Sequence, residues 1–171
     1  MLRAFKEHLK EMSKNPKDKF HLQVRKRVGK RATAILEKRL RLLILLMPDI
    51  VSRIYGLWRQ QKAPSEVKKL GGFPLTYLYQ TKDFLSAHER GLFGYLDDAY
   101  FTALVYEKVV EDLRQEAPSI MTSDDKKNYE KIKEFKRDAK IIIPKEALKI
   151  ERMLEEIIKG EETVFASAFV S

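Results

Sequence analysis

The chain has 171 residues, 44% of them hydrophobic and 35% charged, with a formal net charge of +9 and no cysteine. That length points to one domain with enough apolar residues for a real core. The lack of cysteine excludes disulfides, thiolate zinc sites and thiol nucleophiles, and it fits a reducing cytoplasm.

The charge is uneven. Residues 1–62 carry 17 Lys/Arg and 5 Asp/Glu, a net of +12, and the remainder is net −3. A basic N-terminal third favours anionic partners, lipid headgroups or nucleic acid, unless it is only a solvated helix face. Residues 1–15 are amphipathic and charged, so they do not read as a secretory signal. A membrane span needs about 20 mostly apolar residues. The uncharged run Leu42 to Pro48 is too short, and Arg41 and Asp49 close it.

In chain order, Leu2, Phe5, Leu9 and Met12 predict a helix from Leu2 to Lys14, ended by Asn15-Pro16. A long helical pattern then runs from Lys17 to Gln61, with Val24, Val28, Ala32, Ile35 and Leu36 at helical spacing. Gly29 weakens it, and Pro48 predicts the break that splits it in two, with Asp49 starting the second piece. Pro64 or Ser65 starts a short helix that Gly71-Gly72 ends. Phe73 to Tyr79 reads as a buried helix with Pro74 at its start.

Residues 81–90 form a polar link, and Gly91 and Gly94 bracket an apolar turn. Asp97 or Asp98 then begins a helix to about Gln115, apolar on two sides and stopped by Pro118. Ser123 suits the N-cap of a further helix to Lys140, sparse in apolar residues and expected to be exposed. Ile141 to Ile143 is a short β-like run. Lys145 to Lys159 is a clean amphipathic helix with Gly160 as its C-terminal cap, and Thr163 to Ser171 is an apolar tail.

Few residues carry chemistry. The sequence contains no GxxxxGK[ST], GxGxxG, GxSxG or HExxH pattern, and His8, His21 and His88 are scattered. The adjacent pair Asp97-Asp98 fits two readings. It can interact with free helix N–H groups, or it can hold a hard cation with Asp83, Glu89, Glu107 and His88 as further ligands. Phe73, Tyr77, Tyr79 and Phe84 fit a core better than a base-stacking platform. Arg25, Lys26, Arg27, Lys30, Arg31, Lys38, Arg39 and Arg41 form a basic stripe that suits a membrane interface or a phosphate backbone. The leucine-rich stretch from Leu40 to Met47 favours lipid or a partner helix.

Tyr77, Asp83, Gly94 and Asp97-Asp98 give the centre of the chain, residues 74–110, a recognisable outline. The stretch TYLYQTKDFLSAHERGLFGYLDDAYFTALV resembles the YkvA-like bacterial domain of unknown function. That family carries an aromatic-ended apolar helix, a Pro-x-Asp-x-Ile-Pro-Asp link and a Gly-x-x-Asp-Asp helix start. Here Thr81, Ser86 and Arg90 replace prolines, Ala87 replaces an aspartate, and one extra residue precedes Gly94. The resemblance implies a helical domain, often close to membranes, and no particular activity.

The expectation is therefore an all-α, single-domain bundle of six or seven helices over residues 1–171. Residues 1–47 would be the basic N-terminal helices, 48–115 the YkvA-like core, and 123–171 the C-terminal helices and tail. The helix after Asp98 would be its buried centre, packed by residues 50–58, 74–80 and 147–158. The expected role is non-enzymatic: binding or scaffolding at an anionic surface, with the inner membrane face as the first partner. A protein partner or nucleic acid is the alternative, and a metal-dependent enzyme on Asp83, Asp97 and Asp98 is a third. No cofactor is expected beyond a divalent cation in that last case.

Overall fold

Helix α1, Leu2–Lys14, closes the stripe of Leu2, Phe5, Leu9 and Met12 onto the rest of the chain, with Leu9 fully buried. The computed structural model describes residues 1–79, 84–85 and 90–160. Every regular element among them is helical, so the protein is an all-α bundle.

The long N-terminal pattern divides at Gly29, not at Pro48. Helix α2 spans Phe20–Val28 and α3 runs unbroken over Lys30–Trp58. Gly29 takes φ 75° and ψ 177°, a conformation essentially reserved for glycine, and the chain reverses there. Pro48 cannot donate to residue 44 and crowds its carbonyl, which costs about 3 kcal/mol inside a helix. The helix survives because Leu43, Ile44, Met47, Ile50, Val51 and Ile54 flank the proline, each no more than 2% exposed. Each such side chain contributes about 1.5–3 kcal/mol on burial, which outweighs the proline. Asp49 consequently starts no helix. It lies within α3 and pairs with Lys6 of α1 at 2.6 Å.

Helix α4, Ser65–Leu70, and α5, Phe73–Leu78, follow as the glycines and prolines dictate. Gly71 lets α4 close on the end of α3, since a Cβ there would stand 2.5 Å from the Cβ of Trp58. The turn bracketed by Gly91 and Gly94 is a 3₁₀ helix, Gly91–Tyr95, leading directly into α6, Leu96–Glu116. Fourteen residues of α6 are buried, and it packs against α3, α4 and α5. It is the buried centre that the sequence predicts.

Helix α7, Ser123–Ile142, corrects two expectations. Its N-cap is Thr122, whose hydroxyl accepts the Asp125 N–H while the Asp125 side chain accepts from the Thr122 N–H, a capping box. Nor is the helix exposed: Tyr129, Ile132, Phe135, Ala139 and Ile142 form a narrow stripe buried against α3 and α6. Its β-like end is the last turn of α7, with Ile143 as the joint to α8, Pro144–Lys159. Gly160 caps α8 in the left-handed conformation at φ 87°. The tail, residues 163–171, lies outside the described residues.

Candidate functional site

The basic stripe lies on a helical hairpin. Arg41 bonds Asp18 at 2.7 Å and sits over the Phe20 ring at 4.6 Å, so α2 runs back antiparallel along the first half of α3, with Gly29 at the tip. None of residues 25–39 is buried. The hairpin end thus lies at the surface, with Val28 and Leu36 packed partly against the core. Those 15 residues hold seven cations and one acid, a net of +6, two-thirds of the charge of the whole chain.

The stripe separates into two sets. Arg39 pairs with Glu134 at 2.6 Å and Asp138 at 3.3 Å on α7, and Arg41 pairs with Asp18 and Glu37. Arg39 thus holds the hairpin to α7, and Arg41 holds the start of its first arm to its second. Arg27 lies over the Phe93 ring at 4.8 Å and donates to the Gln23 carbonyl. Desolvation lowers its pKa, and the like charge of Arg90 lowers it further. Arg25, Lys26, Lys30, Arg31 and Lys38 point outward and enter no ion pair among the described residues.

Apolar side chains stand among them. Ile35 is 61% exposed and Leu42 is 44% exposed. With Arg31 and Lys38 they share one face of α3 at spacings of four, three and four, opposite Leu36, Leu40, Leu43 and Met47. Leu22, also exposed, takes the same place beside Arg25 and Lys26 on α2. Helical spacing alone groups Ile35 with Val28 and Ala32 as core. The Arg31–Ile35–Lys38–Leu42 register was the available signal that it faces out.

The Asp97-Asp98 pair is placed differently. The N-cap of α6 is Tyr95, which makes no side-chain cap bond, and the aspartates occupy the second and third helical positions. Both are buried, at 0% and 2% exposure. Asp97 Oδ2 accepts the Leu85 N–H at 3.1 Å and the Tyr77 hydroxyl at 3.5 Å, tying the 84–85 segment and α5 to the centre of the bundle. Negative charge in the first turn also complements the helix dipole. Glu107 turns away to pair with Lys136. Among the described residues no group of three His, Cys, Asp or Glu is placed to hold a metal. Asp83, His88 and Glu89 lie outside those residues.

His8 and His21 are exposed on α1 and α2. Tyr77 is buried and stacks on Phe101 at 4.6 Å, whereas Tyr79 is half-exposed, so the aromatic run is divided between core and surface. No described helix is long and apolar enough to cross a membrane. No protein-family model, curated protein or solved structure matches the chain.

Proposed function

We propose that this protein is a non-enzymatic binding or scaffolding protein whose α2–α3 hairpin docks on an anionic membrane face. The observation that carries this reading is the outward face of α3, where exposed Ile35 and Leu42 alternate with Arg31 and Lys38. Apolar groups of this kind enter the headgroup boundary while the cations meet anionic lipids. Each cation near such a surface contributes about 1 kcal/mol. The resemblance of residues 74–110 to YkvA-like domains points the same way.

Nucleic acid is the alternative for the same cations. A phosphate backbone gives no reason to expose Ile35 and Leu42, and this favours lipid. The test is flotation with neutral and anionic vesicles at low and high salt. Binding to anionic vesicles alone, weakened by salt and by Ile35→Ser with Leu42→Ser, supports the reading. Absence of binding to either vesicle overturns it. Binding to a duplex oligonucleotide that the serine variant leaves unchanged moves the assignment to nucleic acid.

A further inference from the structure

The link between α1 and α2 and the start of the 3₁₀ turn enclose a cleft of about 290 Å³ whose polar lining is Asn15, Lys17, Asp18, Lys19, Gln23 and Arg90, beside Met12 and Leu92. Three of its side-chain acceptors are already engaged. Asp18 Oδ2 is held by Arg41 at 2.7 Å. The Asn15 side-chain oxygen accepts the Lys17 N–H at 2.9 Å, and the Gln23 side-chain oxygen accepts from Arg27 at 3.2 Å. Each amide therefore has its nitrogen left to donate. Lys17, Lys19 and Arg90 enter no ion pair among the described residues. Three basic residues and two amide side chains thus line a space whose one carboxylate is paired with Arg41.

We infer that this cleft binds a phosphate group, with Arg90 and Lys19 as its principal cations and the Asn15 and Gln23 amides as neutral donors. An arginine and two lysines lining one small volume suit a phosphate's several acceptor oxygens. The cleft is too small for a large ligand, so a phosphomonoester or lipid headgroup is the class that fits. The site lies at the base of the hairpin, away from the Gly29 tip, and does not rest on the docking reading.

The experiment is a titration of the full chain with inorganic phosphate, followed by amide NMR shifts at constant ionic strength held with chloride. Saturating shifts confined to Asn15–Gln23 and Gly91 are expected. Lys19→Gln with Arg90→Gln should weaken the apparent Kd about a hundredfold or more, since both principal charge-assisted contacts are lost. Arg31→Gln with Lys38→Gln should leave this titration unchanged while reducing flotation, so the two readings fail separately. Shifts that do not saturate, or that persist in the Lys19/Arg90 variant, overturn the site. Should that double variant lose its fold, Lys17→Gln supplies the comparison. Saturation together with a preference for phosphatidic acid over phosphatidylserine vesicles assigns a lipid headgroup. Saturation without that preference assigns a soluble phosphate ester.

Discussion

Arg53 on α3 and Asp125 in the first turn of α7 form a two-pronged ion pair, with Nε to Oδ1 at 2.9 Å and Nη2 to Oδ2 at 2.6 Å. The same guanidinium donates to the Ile120 carbonyl, and Tyr106 donates to Asp125 Oδ1 at 3.0 Å. One residue pair thus joins α3, α6, α7 and the turn before α7.

Arg53→Ala should therefore destabilise the protein well beyond an ordinary surface change. The Asp125 side chain is 2% exposed, so the variant leaves a buried carboxylate without its cation. Breaking a buried pair costs about 3–5 kcal/mol, and the remaining solvent access of Arg53 places the expectation near the lower end, about 3 kcal/mol. Urea denaturation measures it. A loss below about 1 kcal/mol means that the pair is no more than a surface bridge.

Acid should expose the same pair. Burial pushes the Asp125 carboxyl up, but the Arg53 guanidinium and the Thr122 donors hold it below its ordinary value. For Glu151, burial again raises and the bonds from Lys140 and Tyr100 lower, with a net depression. A carboxylate depressed in the folded state stabilises above its unfolded pKa, and that stability is lost as pH falls through the folded value. The unfolded references are 3.8 and 4.5, so stability should fall as pH drops below that range. Asp125→Asn should flatten the decline. Denaturation midpoints collected between about pH 6 and pH 3 test this, and equal slopes in both proteins contradict it.

The two halves of the basic stripe should respond differently. Arg41→Gln removes the bonds to Asp18 and Glu37 and the stacking on Phe20, and should lower stability by about 1–3 kcal/mol. Arg31→Gln should stay within about 0.5 kcal/mol. Thermal melts of both variants suffice. An equal effect would mean that the outward cations have structural partners too.

Glycine substitution separates two kinds of turn. Gly29 meets nothing within 4 Å of an added Cβ, so its cost is purely conformational. At φ 75° and ψ 177° asparagine gains nothing over alanine, and either should cost about 1–3 kcal/mol. Gly160, at φ 87° and ψ 14°, is a left-handed cap where asparagine is tolerated. Gly160→Asn should therefore be nearly neutral. If Gly29→Asn is equally mild, the hairpin reversal does not depend on this glycine.

Much of the fold was legible because local rules coincide with packing. The Leu2–Lys14 stripe, the short helix ended by Gly71, the Gly91–Gly94 turn, the central helix and the Gly160 cap all rest on spacing or backbone restriction that acts within one element. Pro48 was misleading because its local penalty is overridden by the burial of six neighbours on the same helix, and that burial depends on partners in other helices, which no window along the chain contains. Likewise the burial of α7 depends on partners in α3 and α6, and its few apolar residues do not announce them. At the hairpin, composition gave the cations. Which of them are free was set by Asp18, Glu134 and Asp138, and two of those lie roughly a hundred positions away in sequence.

The unbroken course of α3 also sets a reach. Its 29 residues measure about 43 Å along the axis, from the basic tip at Lys30 to Trp58 at the other end of the bundle. With Pro48 locked among core side chains, this length works as a strut. The opposite end, with its exposed Trp58 and neighbouring Tyr55, therefore stands several nanometres from the tip.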